Sequence, residues 1–485
     1  MRKKPKEKCL KKNKSEMTIT FIITVTVLIV ISVGITIIAK TNHSPNSADI
    51  CEHKWKKIEE TFSGEFNPGY VHYRCYYCNN EKTERIKATC ILPQIYFDGI
   101  TDGIQKDSEV IVKTEYFDGD THFSSFAAIK YQGHTSMKYD KKNYTVKFYK
   151  DKEKQEKNKI SLNGWKENSK YCLKANYIDF SQSRNIVSAN IWTDVVGSRK
   201  NIDENIASLQ YYGAVDGYPV MVFINDTYRG IYTMNIPKDD DTYGIGDEKN
   251  EALFVINSSG SDSSYFKSVL SEEDKKSIFD LEYCYGEKSG DTEWAYNSLD
   301  ELINFVINND GNTFKEEIEK YLDIESAIDY LLTSYYLGLT DNFAKNALML
   351  TYNGEKWIFS LYDMDTAFGL SFDGTVFFEP DFQIPVKNDD GSISSSTGSL
   401  LWDKLLQNFY PEICERYKEL RKTVFVNDSV VKRYDSFIKS IPQTCFEKEI
   451  EIWGNIPLYK ENNIEQINEF LNSRSKLLDE FFINN

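Results

Sequence analysis

The first hydrophobic signal is a continuous run. Met17 to Ala39 reads MTITFIITVTVLIVISVGITIIA, 23 residues without a charge. A helix rising about 1.5 Å per residue makes this long enough for a hydrocarbon core of roughly 30 Å. A cleaved signal has a shorter apolar stretch, about 7–15 residues, ending in small residues, and Ile37 with Ala39 makes a poor cleavage pair. The basic flank from Arg2 to Lys14 is retained in the cytoplasm by the positive-inside rule. The pattern predicts a cytoplasmic tail at 1–16, a single-pass signal anchor at 17–39 and a polar linker at 40–50, with the bulk of the chain extracytoplasmic.

Beyond Ile91 the pattern alternates. LPQIYFDG, AAIKYQG, NYTVKFYK and YPVMVFINDTYRGIYTMN carry the two-residue period of half-buried strands. They predict an antiparallel sheet up to about Ile236, with Asn225-Asp226 at a hairpin turn and one helical interruption from Asn185 to Val196. After Ser298 the period becomes helical. Ser298 and Glu301 form a capping-box pattern before Leu302, Ile303, Phe305 and Val306. Asp323 is placed to cap a second helix whose apolar face is Ile324, Ile328, Leu331, Leu332 and Tyr335 and which stops at Gly338. Asn388 to Ser399 reads as an exposed loop by composition, and Leu400 to Phe482 as several amphipathic helices. Strands first and helices second is an α+β layout.

Composition sharpens this picture in two respects. The 485 residues, 41% apolar with 32 Tyr and 29 Phe, suffice for a large aromatic-rich core. Net charge is −16, although the first sixteen residues hold eight Lys/Arg against Glu7 and Glu16, so the remainder is more acidic still. That balance argues against nucleic acid as a partner, because a phosphate backbone would be repelled.

Two segments carry candidate chemistry. Cys51-x-His53 and Cys75-x-x-Cys78 supply three thiolates and an imidazole, the tetrahedral set that structural Zn²⁺ prefers. Disulfide pairing is the alternative that an extracytoplasmic setting permits; His53 favours zinc, since a disulfide needs no imidazole. Residues 51–90 are therefore read as a small zinc-ribbon-like module, similar to Cys/His modules of bacterial surface proteins. Cys90, Cys172, Cys284, Cys414 and Cys445 fall at no interpretable spacing.

The second segment runs from Asp341 to Gly369, DNFAKNALMLTYNGEKWIFSLYDMDTAFG. Asp341 is followed five residues on by Asn346, and an apolar strand-like run, Trp357 to Leu361, delivers Asp363 and Asp365. Carboxylates and an amide oxygen are the hard ligands of Mg²⁺ or Mn²⁺, and phosphoryl transfer needs chiefly positioning and charge neutralisation. Spacing alone serves equally well a reading in which Asp341 and Asp365 are turn or cap residues and Asp363 pairs with a Lys. Asp363-x-Asp365 also imitates a glycosyltransferase metal motif, a reading that leaves Asp341 and Asn346 without a role.

YLLTSYYLGLTDNFAKNALMLTYNGEKWIFSLYDMDTAFG resembles the spore coat protein H (CotH) kinase family, as do YQGHTSMKYDKKNYTVKF, YCLKANYIDFSQSRNIVSANIW, RGIYTMNIPKDDD and ERYKELRKTVF, in the family's order, from about residue 91 to the C-terminus. The resemblance implies an atypical protein-kinase-like two-lobe domain over 91–485 that transfers the ATP γ-phosphate to Ser/Thr residues of proteins. It implies Asp341 as the catalytic residue, Asn346, Asp363 and Asp365 as ligands of Mg²⁺ or Mn²⁺, and Lys142, Lys147, Arg184 and Lys345 as ATP-binding residues. It also implies coat or surface proteins as substrates, at the cell or forespore surface. The chain departs from the family's pattern at Gln132, where Arg is frequent, and at Ile236-Pro237-Lys238, where a Glu is frequent. Those departures leave a second reading, a non-catalytic surface scaffold or adhesin that keeps the fold.

Overall fold

A computed structural model describes residues 51–119, 121–246, 248–258, 264–287, 290–454 and 463–484. The basic tail, the apolar run 17–39 and the linker lie outside them. Among the described residues no helix is long and apolar enough to cross a membrane. The described chain forms two compact units, 51–62 with 69–86, and 63–68 with 87–484.

The small unit is a three-stranded antiparallel sheet of β1 (Trp55–Thr61), β2 (Gly69–Cys75) and β3 (Glu81–Ile86), in that order. Lys82 lies over the Trp55 and Tyr73 rings, 5.0 Å from each centroid.

The large unit begins with a closed barrel. Its strands are β4 (Gln94–Asp98), β5 (Val110–Asp118), β6 (Thr121–Gln132), β7 (Asn143–Tyr149), β8 (Lys170–Lys174), β9 (Gly217–Ile224) and β10 (Thr227–Asn235), ordered β10-β8-β7-β6-β5-β4-β9. The two-residue period sends Ile95, Phe97, Val112, Ala127, Val146, Phe148, Val220 and Met234 into one interior cluster. The sequence predicts an antiparallel sheet; the structure closes it into a barrel through one parallel pairing, β4 with β9, Gln94 opposite Met221. Closure satisfies edge strands that an open sheet would leave unpaired. Asn225 (φ 47°) and Asp226 (φ 61°) make the predicted hairpin turn between β9 and β10, both in the left-handed region that type I′ turns require.

The remainder mixes helices with a second antiparallel sheet, β12-β11-β13-β14, formed by β11 (Ala252–Asn257), β12 (Phe279–Cys284), β13 (Lys345–Thr351) and β14 (Ile358–Leu361). The longer helices are α1 (Arg184–Gly197), α2 (Glu293–Asn308), α3 (Ile324–Leu337), α4 (Leu400–Asn408), α5 (Tyr410–Lys422), α6 (Asn427–Lys439), α7 (Gln443–Trp453) and α8 (Ile464–Phe482). The architecture is α+β, but strands and helices interleave after residue 252 rather than separating.

Helix α3 positions the site. Asp323 caps it, its carboxylate accepting from Ser326 N at 2.7 Å, a cap worth about 1 kcal/mol. Nearly all its residues are buried, and Gly338 ends it at φ 65°. A Cβ on Gly338 would stand 2.8 Å from the Phe470 ring, so glycine answers both the left-handed turn and the close approach.

Two sequence expectations fail here. Ser298 is not a cap: α2 begins at Glu293, and Ser298 lies inside it with its hydroxyl buried and unpartnered. The apolar face Ala295, Leu299, Leu302 turns Ser298 inward, and tertiary packing overrides the local signal. The stretch 388–399 is only partly an exposed loop. Ser395 and Ser399 are fully buried, and Ser395 donates to Asp403 Oδ1 at 2.7 Å.

A candidate phosphoryl-transfer site

Asp341, Asn346, Asp363 and Asp365 line one cavity of about 730 Å³ in the large unit. Asp341 opens the 3₁₀ turn Asp341–Phe343, three residues past Gly338, and Asn346 is the second residue of β13, at φ 61°. Asp363 follows β14 at φ 53°, and Phe368 sits at φ 62°. Asn and Asp tolerate the left-handed region; a Phe there needs support. Phe368 has it: its N–H donates to Leu337 O at 2.8 Å and its carbonyl accepts from Gln466 Nε2 at 2.7 Å.

The electrostatics follow from crowding. The Asp341 carboxylate receives Lys345 Nζ at 3.0 Å. Burial raises its pKa, the Lys345 charge opposes that, and Asp363 adds to the rise. Asp365 is pushed well above the usual carboxylate range, first by burial and then by the charges of Asp363 and Asp341. Lys174, the last residue of β8, lies 3.8 Å from Asp363 Oδ1 and over the Tyr362 ring. Burial would lower its pKa, but Asp363, Tyr362 and Asp365 outweigh that and raise it. Asn185 completes the frame: its Oδ1 accepts from Met364 N at 3.1 Å and its Nδ2 donates to Asp363 Oδ1 at 3.4 Å.

The segment after β6, Gly133 to Ser136 with Tyr139, also lines the cavity. Gly133 has φ 109°, and a Cβ there would collide with Ser136 Oγ at 2.0 Å. Asn143 ties this turn to β8, donating to Ser136 Oγ at 3.2 Å and accepting from Ala175 N at 2.7 Å. Tyr139 donates to Phe372 O, joining this segment to the chain just after Gly369.

The structure does not bring every expected residue here. Lys345 and Asn185 line the cavity, but Lys142, Lys147 and Arg184 do not. Lys142 folds back onto its own loop, donating to Met137 O at 2.9 Å and to Tyr139 O. Lys147 lies on β7 close to Glu109, Lys170 and Lys130. Arg184 is fully buried, paired with Asp179 at 2.5 Å, and donates to Ala367 O at 3.0 Å and Gln466 Oε1 at 2.7 Å. It braces the backbone behind Asp365 instead of facing a ligand. Lys141 does reach the cavity wall, but its ammonium is spent on Glu449 Oε2 at 2.8 Å, Ala175 O at 3.1 Å and Ile231 O.

Lys174 is the residue that sequence reasoning missed. Its signal was present: YCLKAN is an apolar strand ending in a charge, as IFSLYD is for Asp363.

In the small unit, Cys51, His53, Cys75 and Cys78 present ligand atoms all within 4.8 Å of one another. Cys78 Sγ is 3.3 Å from His53 Nδ1 and Cys51 Sγ is 3.7 Å from Cys75 Sγ.

A barrel joined to a helical body thus brings carboxylates, an amide and ammonium groups to one cavity. The model of the family described as CotH kinase protein matches residues 129–478, most of the chain, and the protein belongs to that family. No curated protein matches the chain.

Proposed function

We propose that the large unit is an atypical, two-lobed protein kinase that transfers the γ-phosphate of ATP to Ser/Thr hydroxyls of protein substrates. The observation carrying this reading is that Asp341, Asn346, Asp363 and Asp365 share one cavity with Lys174 and Lys345. Burial, and then the charges of Asp363 and Asp341, raise the pKa of Asp365 strongly. This is an oxygen donor set short of positive charge, and it fits Mg²⁺ or Mn²⁺. Asn346, Asp363 and Asp365 would hold the metal, which when bound neutralises charge on the transferring phosphoryl group.

The chain's own groups would do the rest. The Asp341 carboxylate orients the acceptor hydroxyl and takes its proton as the oxygen–phosphorus bond forms and the bond to the β-phosphate oxygen breaks. Lys345, already seated on Asp341, faces the moving group. Lys174 pairs with phosphate oxygens as a point charge, the role that the family resemblance had given to Lys142 or Lys147. Asn185 fixes Asp363, and Arg184 holds the Ala367–Phe368 backbone.

The remaining expectations complete the proposal: a single-pass anchor at 17–39, a structural Zn²⁺ on Cys51, His53, Cys75 and Cys78, and display at the cell or forespore surface toward coat or surface proteins. The scaffold or adhesin reading draws on one observation, that Gln132 Oε1 is buried without a partner at a position where the family's Arg is absent.

The test is transfer of label from γ-labelled ATP to casein with Mg²⁺ or Mn²⁺, using the full chain in detergent. Transfer lost by roughly a hundredfold or more in Asp341→Ala is expected. No transfer, together with no calorimetric heat on adding ATP under either metal, refutes the kinase and leaves the scaffold.

A further inference from the structure

We propose that Cys90 and Cys445 form an intramolecular disulfide that fastens helix α7 to the barrel. Their sulfurs lie 3.7 Å apart, both residues are buried, and 355 positions separate them in sequence. They sit in one apolar cluster with Leu92, Tyr228, Ile231 and Phe446 on the outer face of the barrel. Among the described residues no third Cys, His, Asp or Glu ligand atom joins this pair in a metal-binding group. Neither thiol touches the phosphoryl-transfer cavity.

The position has a purpose. Glu449 lies one turn beyond Cys445 on the same helix, and i, i+4 residues share a face. Its Oε2 meets Lys141 at 2.8 Å and its Oε1 accepts from Ile231 N. The barrel makes room for this carboxylate at Gly230 (φ 107°), where a Cβ would stand 2.1 Å from Glu449 Oε1. A bond at Cys445 holds α7 so that Glu449 stays on Lys141, which lines the cavity wall.

Chemically, each sulfur loses its hydrogen and one S–S bond forms. The two electrons and two protons pass to the disulfide of a thiol oxidoreductase, which becomes a dithiol. The exchange happens while the chain folds, before the cluster closes around the sulfurs. One thiolate of the pair attacks the oxidoreductase disulfide, and the other resolves the mixed disulfide, releasing the dithiol. The proposal is independent of the kinase reading; it requires only an oxidising compartment, where such bonds persist.

The test is peptide mapping of the full-length protein, exported by a bacterial host, denatured and alkylated without reductant. A Cys90–Cys445 cross-linked peptide that disappears on reduction is expected, with Cys172, Cys284 and Cys414 alkylated. Full alkylation of Cys90 and Cys445, or either joined to another cysteine, overturns the proposal. Melting gives a second reading. Reduction, Cys90→Ser, Cys445→Ser and the double variant should each lower Tm by the same amount, roughly 5 °C or more, because each removes one and the same bond. Losses that add in the double variant would assign the effect to packing of two thiols and refute the bond.

Discussion

Replacing Lys174 with Met separates the two assignments of the phosphate-binding lysine. The ammonium stands 3.8 Å from Asp363 Oδ1, and the side chains are 12% and 29% exposed. At an effective dielectric near ~20 the attraction is about 4 kcal/mol, most of it offset by desolvation of the two charges. Methionine keeps the bulk and removes the charge, leaving Asp363 beside Asp365 and Asp341 with a cation fewer. Stranding a partner in a buried pair costs about 3–5 kcal/mol. Asp363 retains some solvent, so the metal-free Lys174→Met protein should lose about 2–3 kcal/mol in urea unfolding. Ligands should then respond with opposite signs. Mg²⁺ alone should bind about tenfold tighter, because repulsion from the ammonium is gone. ATP should bind about 10–100-fold more weakly, having lost a charge-assisted contact worth about 1.5–3 kcal/mol. Lys142→Met and Lys147→Met should change neither affinity. Calorimetric titration of Mg²⁺ and then ATP into the three variants decides the matter. If both ligands weaken together in Lys174→Met, or if ATP binding instead fails in Lys142→Met, the assignment of Lys174 is wrong.

Two further outcomes follow from the same physical reasoning. The folded pKa of Asp365 lies above that of the unfolded chain, so the native protein binds more protons as pH falls from neutrality through the raised value, and this group's contribution to stability grows in that direction. Asp365→Asn should therefore raise the Tm of the metal-free protein at pH 7 and reduce its gain on acidification, while Mg²⁺ should flatten the same slope in the native protein; an unaltered slope in Asp365→Asn would contradict the crowding argument. In the small unit, about one zinc per chain is expected by elemental analysis, lost in Cys75→Ala and on treatment with a strong chelator, with unfolding of the three-stranded sheet; disulfides among Cys51, Cys75 and Cys78 would exclude it.

The parts of this molecule that sequence discloses are those governed by near neighbours. Asp323, the apolar stripe and Gly338 specify α3 from cap to stop, and Asn225-Asp226 can do little but turn between two alternating runs. The acidic positions were legible because a strand and a helix end, each readable locally, deliver them. What escaped required pairing over distance. The barrel closes when β4 finds β9, more than a hundred residues away, and no local pattern announces a parallel seam. The charge that ends β8 is legible in YCLKAN, but its meeting with Asp363 is a pairing over distance. Conversely, Lys142 and Arg184 were assigned to the site by family resemblance, while the backbone turned one onto its own loop and the other into the interior. Ser298 illustrates the same limit: its neighbours imitate a helix start, and the helix had already begun.

The tie between Gln466 and the Phe368 carbonyl bears on when the centre comes into being. The stretch bearing Asp363 and Asp365 is braced by Arg184, and Arg184 in turn by Gln466, a residue near the C-terminal end. A growing polypeptide on the ribosome possesses every acidic side chain long before it possesses that brace. The finished shape of the cavity thus waits on α8, and a chain interrupted ahead of that helix would carry the full acidic set yet lack the strut that holds it in place.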